Sequence, residues 1–380
     1  VYARLSSFET IGADDGPTAR IGPAKRAALF ALGTVVWTRV VYFLVAYGFS
    51  ASLAQGRAKP LPEFFDLWLK WDAVAFLRIA LHGYTSALTE QHPTAFFPLL
   101  PLLLRGLIAV GVTGAGAGLL LSAIGSFIAF WYLYRLAETE LGPRCGRLTV
   151  LYLALFPSSV FLVAGYTEAL FLAGAVASFY YARQGSWAKV PLPAAVAAAS
   201  RSSGVFLLAA LGLEALVQRK ASGRGLLQPL IAVAFGSLPV LAYCFFLERA
   251  RGDPFFYFTD ERLGWHRNFA NPVSALVNTF HHPGAPIEIV AAVVGVLFVV
   301  WSARAKQWSY MAYMLLLLTS LVTTTYYLSI PRLLLSFFPA PLLLAGATKD
   351  RPRAARLILV IFGLLSLLGV IAFTYGLGFY

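Results

Sequence analysis

The chain has 380 residues, of which 59% are hydrophobic and only 12% charged, where an ordinary soluble domain carries about 25% charged residues. That composition excludes water as the main solvent. The net charge of +13 does not indicate nucleic acid, because the basic residues are scattered through short loops and form no stripe with interleaved aromatics. Cys145 and Cys244 are the only cysteines, so neither a disulfide framework nor a CxxC metal site is available.

In chain order, residues 1–24 read as a cytoplasmic leader, trimmed or processed because no initiator Met is present, and residues 25–380 as a single transmembrane catalytic domain. Apolar runs of roughly 20 residues span a bilayer as helices, and they fall at 29–48, 106–134, 148–163, 165–181, 190–200 with 204–217, 226–247, 287–303, 308–325, 333–347 and 357–377. This predicts an all-α polytopic protein with about eleven transmembrane helices. Lys and Arg cluster at Arg20, Lys25 and Arg26, at Arg219, Lys220 and Arg224, at Arg304 and Lys306, and at Lys349, Arg351, Arg353 and Arg356. The positive-inside rule makes these loops cytoplasmic, with the N-terminus inside and the C-terminus outside.

Residues 49–95 then form the first outer loop. Within it Phe64, Leu67, Trp71, Val74, Leu77 and Leu81 recur at helical spacing, which predicts one amphipathic helix lying in the outer interface. Residues 96–134 could hold two spans about the glycine-rich break 111–118; a single crossing keeps Arg135, Arg144 and Arg147 inside, so 96–105 is assigned to an interfacial helix. The runs 190–200 and 204–217 are each short and meet at Ser200–Gly204, a break tolerated at membrane depth only where protein or a water-filled cavity satisfies the backbone.

This topology gathers Asp72, Arg78, Ser158, Tyr166, Glu168, Arg201, the stretch 253–267 and Arg332 on one outer side. Ionisable groups in or beside spans are costly and mark functional sites. Glycosyl transfer from a lipid phosphate needs a base for the acceptor hydroxyl and positive charge for the leaving phosphate. Asp72 or Glu168 can supply the base, while Arg201, Arg332, Arg267 or His266 can hold the phosphate, and Trp71, Tyr166 and Trp265 can flank a sugar ring. Each has a structural alternative: a solvated helix residue for Asp72, a helix-end ion pair for Glu168, snorkelling for Arg332. The adjacent His281 and His282 lack the spacing of a metal site.

The segments "KWDAVAFLRIALHGYTS", "AFFPLLPLLLR", "LFPSSVFLVAGYTEALFL", "AAASRSSGVFL" and "SIPRLLLSFFP", in this order from Trp71 to Pro339, resemble the successive signatures of the PIG-V family of mannosyltransferases. The resemblance implies a GT-C-type glycosyltransferase fold and an inverting enzyme that takes mannose from a polyprenyl-phosphate donor on the non-cytoplasmic face. The acidic residue of the first outer loop, here Asp72, would be catalytic. It further implies that Trp71, Gly83, Tyr84, Pro98, Pro101, Tyr166, Glu168, Arg201, Gly204, Pro331 and Arg332 are family positions. Ala75 and Phe76 depart from the bulkier aromatics expected there, which leaves the acceptor open. Richness in Ala, Gly, Leu and Arg fits a bacterium, where the acceptor would be a glycolipid or another periplasmic glycan. The expected partners are thus a polyprenyl-phosphate sugar, such an acceptor and membrane lipids, with no nucleic acid. No cofactor is expected, a divalent ion remaining open, and the location is the cell membrane. The competing readings are a lipid or lipid-linked-sugar flippase and a transferase of another sugar.

Overall fold

The computed structural model describes residues 22–53, 61–84, 92–223, 225–282 and 284–377. Most of the leader, Arg20, Arg224 and parts of the 49–95 loop lie outside the described residues. Helix α1 (Pro23–Leu53) has 31 residues and is about 46 Å long at 1.5 Å per residue. Its outward side chains, Leu29, Leu32, Val36, Val40 and Leu44, are all exposed and all apolar. A row of that kind belongs against lipid.

The amphipathic helix expected across 64–81 is instead two helices, α2 (Leu61–Asp66) and α3 (Asp72–His82). The periodicity is continuous but the chain is pinned between them. Lys70 donates its ammonium to the Thr374 carbonyl at 3.1 Å, and the Lys70 carbonyl accepts the Tyr166 hydroxyl at 2.7 Å. Trp71 pays with a φ of 46°, a conformation costing a non-glycine residue about 1–3 kcal/mol. The face that α3 buries is Ala73, Phe76, Ile79 and Ala80, and Leu81 of the expected stripe is exposed.

Next come α4 (Leu99–Ala109) and α5 (Gly114–Leu141), parted by a turn at Gly111 and capped by Thr113, whose hydroxyl accepts the Gly116 amide. Only α5 is long enough to cross, so this region holds one long span, as the charge argument requires. Helix α6 (Cys145–Ala154) stops after 10 residues, and the expected 148–163 span continues as irregular chain and a 3-10 turn at Ser159–Leu162 that is buried in protein. Helix α7 (Glu168–Arg183) is buried on nearly every side and forms the axis of the molecule.

The paired short runs become α8 (Pro191–Ser200) and α9 (Gly204–Ser222). Trp187, just before α8, donates its indole N–H to Gln218 near the end of α9 at 3.2 Å, so the two helices run antiparallel with Arg201 at their turn. Gly204 makes that turn possible: a Cβ there would lie 2.4 Å from Ala198 Cα. Likewise a Cβ on Gly174 would lie 2.5 Å from the Pro193 carbonyl oxygen, so α7 and α8 touch backbone to backbone, the close packing that small residues give membrane helices.

Helix α10 (Leu227–Arg251) leads into a segment with two shorter helices, α11 (Phe256–Trp265) and α12 (Pro272–Thr279). The chain finishes with α13 (Ala285–Arg304), α14 (Trp308–Val322), the short α15 (Ile330–Leu333), α16 (Pro339–Thr348) and α17 (Pro352–Tyr375). Among the described residues, α1, α5, α10, α13 and α17 are each long and apolar enough to cross a membrane, and the pair bent by 75° at 337–338 forms a sixth unit. The remaining expected spans are not long and apolar enough for this: α7 is enclosed by protein, whereas α8, α9 and α14 keep exposed apolar side chains such as Leu192, Val205, Leu216 and Leu315.

Polar residues gather at both ends of α7. At its C-terminal end Arg183 lies 3.4 Å from both Glu140 and Glu214, and Ser309 donates to Glu214 at 2.6 Å. This cluster ties α5, α7, α9 and α14 together. The opposite end carries the candidate site.

Candidate active site

Arg332 is the hub. Its Nε donates to Glu168 Oε1 at 2.6 Å and its Nη1 to Asp72 Oδ2 at 2.5 Å. The guanidinium also lies over the rings of Tyr166, at 4.6 Å, and Phe161, at 5.0 Å. Arg201 Nη1 stands 3.2 Å from the same Glu168 oxygen. Two carboxylates and two guanidinium groups, drawn from four separate parts of the chain, therefore meet in a balanced cluster, which is how charge is kept in a low-dielectric interior.

Each member is held by local structure. Asp72 is the first residue of α3, turned inward by the strained Trp71. Glu168 opens α7, where a carboxylate also suits the helix dipole. Arg201 sits at the turn between α8 and α9 with extended backbone. Arg332 lies in α15, whose first amides, on Ser329 and Ile330, both donate to the Glu288 carboxylate at 2.8 Å. Ser158 adds a 2.8 Å bond to the Pro331 carbonyl.

The cluster borders a cavity of about 870 Å³. Asp72, Trp71, Tyr166, Arg201 and Arg332 form part of one wall, and Trp265 and Arg267 also line it. Much of the remainder is apolar, including Val205, Val240, Leu241, Leu317 and Leu321. Asp72 keeps a quarter of its side chain accessible (25%), whereas Glu168 has none (0%). The two acids are thus not equivalent: Asp72 can meet a ligand, and Glu168 holds the two arginines from behind.

Other expected residues fall differently. Arg78 is exposed and does not line the cavity; six positions after Asp72 on a helix with 3.6 residues per turn, it projects from another face. His266 ends α11 in a left-handed conformation, exposed, and does not line the cavity either. Tyr166 is 1% exposed, with its hydroxyl spent on Lys70 and its face on Arg332, so it positions the arginine rather than presenting an open face to a sugar. Among the described residues no cluster of three or more His, Cys, Asp or Glu could hold a metal ion.

Sequence reasoning passed over Glu288, and it took in Asp260 only within the stretch 253–267, without its partner Thr94. Glu288 carried a usable signal, as a lone carboxylate at the head of an apolar run. Asp260 accepts both the amide, at 2.9 Å, and the hydroxyl, at 2.5 Å, of Thr94. It thereby locks α11 to the segment before α4, a pairing across so many residues that local pattern does not reveal it.

Residues 50–222 match the family model described as mannosyltransferase (PIG-V). Among curated proteins, the chain is 36% identical over 151 residues to GPI alpha-1,6-mannosyltransferase 2 of Mus musculus, covering 37% of this chain and 30% of that protein. It is 39% identical over 114 residues to the Homo sapiens protein of the same name, covering 27% and 22%. It is 29% identical over 117 residues to GPI mannosyltransferase 2 of Schizosaccharomyces pombe, covering 29% and 24%. These matches span less than a third of each relative's length. Among solved structures, ArnT from Cupriavidus metallidurans, crystallised bound to undecaprenyl phosphate, superposes with a TM-score of 0.55 at 14% identity, covering 90% of this chain and 64% of that one. The helical arrangement is therefore the GT-C type. The stretch that resembles the mannosyltransferase (PIG-V) family, residues 50–222, is the one that contributes Asp72, Tyr166, Glu168 and Arg201.

Proposed function

We propose that this multi-pass membrane protein is an inverting mannosyltransferase, moving mannose from a polyprenyl-phosphate-mannose donor to a lipid-linked or other glycan acceptor. The carrying observation is the accessible Asp72 carboxylate, paired with Arg332 on the wall of a largely apolar cavity, inside the stretch that matches the mannosyltransferase family. The apolar walls suit a lipid-borne donor, and the undecaprenyl phosphate bound by the structural neighbour is a compound of that class.

In this mechanism Asp72 takes the proton of the acceptor hydroxyl as its oxygen attacks C1 of mannose. The bond from C1 to the phosphate oxygen breaks, its electron pair leaves with the polyprenyl phosphate, and a β-linked donor yields an α-mannoside. Arg332 and Arg201 receive the departing phosphate, for which the planar guanidinium fork is suited. Arg332 bonds both carboxylates through Nε and Nη1. Phosphate drawing on Arg332 would loosen its hold on Asp72 as the donor binds.

The site faces the non-cytoplasmic side of the cell membrane. Supporting this, the basic residues Arg219 and Lys220 end α9 and Arg304 ends α13, at the end of the bundle away from Asp72. Counting α8 and α9 as separate crossings, this orientation corresponds to the expected eleven.

Purified protein in lipid nanodiscs, supplied with polyprenyl-phosphate-mannose and a glycolipid acceptor, should transfer labelled mannose, and Asp72→Asn should stop transfer while thermal unfolding stays cooperative. Full activity of Asp72→Asn would remove Asp72 from the mechanism. Movement of intact lipid across the bilayer without transfer would favour a flippase.

A further inference from the structure

The cavity has a second polar group of residues, separate from the Asp72 cluster. Tyr257 and Glu261 on α11, Ser202 at the turn of α8 and α9, and Arg267 just after α11 all line it. The Tyr257 hydroxyl lies 3.1 Å from Ser202 Oγ and 3.2 Å from Glu261 Oε1. Arg267 donates Nη1 to Glu261 Oε2 at 3.4 Å and Nη2 to the Leu328 carbonyl at 3.3 Å, and its buried Nε has no hydrogen-bond partner among the described residues.

The two groups differ in tightness. Around Arg332 the bonds are 2.5 and 2.6 Å, at or below the short limit of charge-assisted contacts, whereas those of Arg267 and Tyr257 are longer, at 3.1–3.4 Å. Ser202 can donate to the phenolic oxygen while Tyr257 donates to Glu261, and the hydroxyl and carboxylate oxygens still keep lone pairs free to accept. Guanidinium donors, carboxylate oxygens and two hydroxyls are thus held near one another and incompletely satisfied. The cluster is also rigidly mounted, because Asp260 fastens α11 to Thr94.

Its adjacency to the reacting centre is covalent. Ser202 follows Arg201, and Leu328 precedes the Ser329 amide that Glu288 fixes to position Arg332. The pair Glu261–Arg267 is charge-balanced, so it offers no surplus positive charge to a phosphate. It does offer donors and acceptors side by side, which vicinal hydroxyls satisfy, and Trp265 adds an aromatic ring to the cavity lining.

We infer that Ser202, Tyr257, Glu261 and Arg267 form the acceptor subsite and recognise the hydroxyls of a sugar ring, opposite in role to the phosphate-holding Arg201 and Arg332. This assignment rests on the transferase reading above.

The test uses full-length protein in nanodiscs, polyprenyl-phosphate-mannose as donor, and octyl α-mannoside as acceptor probe, with octanol as the sugar-free control. Tyr257→Phe and Glu261→Gln should each raise the KM for octyl α-mannoside by about tenfold, the loss of one hydrogen bond to a charged or polar partner, with the KM for donor unchanged. Wild-type protein should prefer octyl α-mannoside to octanol. An unchanged acceptor KM in Tyr257→Phe, which removes a single oxygen and keeps the ring, overturns the subsite even if Glu261→Gln does not fold. Equal use of octanol by the wild type overturns it as well. Failure of the wild type to transfer mannose to either compound would instead count against the transferase reading itself, and the subsite falls with it.

Discussion

Asp72 and Glu168 share one arginine but stand in different surroundings, and this separates their roles. Asp72 is partly accessible and pairs with Arg332; Glu168 is inaccessible and stands against both Arg332 and Arg201. Replacing Asp72 by Asn removes the base, and the rate of mannose transfer should fall by about 10²–10⁴, measured with labelled donor. Replacing Glu168 by Gln leaves two guanidinium groups facing one carboxylate in the interior, and breaking a buried pair in this way costs about 3–5 kcal/mol. Glu168→Gln should therefore lower the thermal unfolding midpoint more than Asp72→Asn does, and the reverse order would show that Glu168 does not hold the cluster together. Both carboxylates could be named from the chain, because each is an acid embedded in apolar sequence. Their difference could not, since accessibility depends on what α15 and the α8–α9 turn place in front of them.

At the scale of elements, the site depends on short helices kept in unusual places. Helix α15 is a single turn whose first amides are held by Glu288, a residue that does not itself line the cavity. Glu288→Ala leaves those two amides without their acceptor, a penalty of about 1–3 kcal/mol for each buried group. Arg332 then loses its fixed position, and the transfer rate should drop although no cavity-lining residue has changed; steady-state kinetics checks this. The α8–α9 turn depends on Gly204. An added methyl would meet Ala198 Cα at 2.4 Å, so Gly204→Ala should destabilise the protein by about 1–3 kcal/mol, seen as a lower unfolding midpoint in detergent. Neither device follows from periodicity. The 3.6-residue pattern across 64–81 continues through the break at Trp71, because apolar spacing records which side chains avoid water and not where Tyr166 and Thr374, from distant segments, pin Lys70.

For the whole molecule, α7 is the axis and its two charged ends divide the labour. The Arg183–Glu140–Glu214 cluster joins four helices at one end, and the Asp72–Arg332–Glu168–Arg201 cluster builds the site at the other. The proposed orientation predicts that single cysteines at Ser222, after α9, and at Asp253, before α11, react with a membrane-impermeant maleimide from opposite sides, once Cys145 and Cys244 have been replaced by serine. Labelling of both from one side would overturn the orientation.

By itself the sequence determined that the protein lives in a membrane, where its long helices fall, and that a few ionisable residues in apolar runs belong to a site. Those properties follow from composition and local charge, because the bilayer penalises polar groups one residue at a time. Tertiary structure alone decided that Arg332 links Asp72 to Glu168, that Arg78 and His266 do not line the cavity, and that Glu288 and Asp260 brace it. Such outcomes depend on contacts between segments far apart in the chain, which local pattern does not encode.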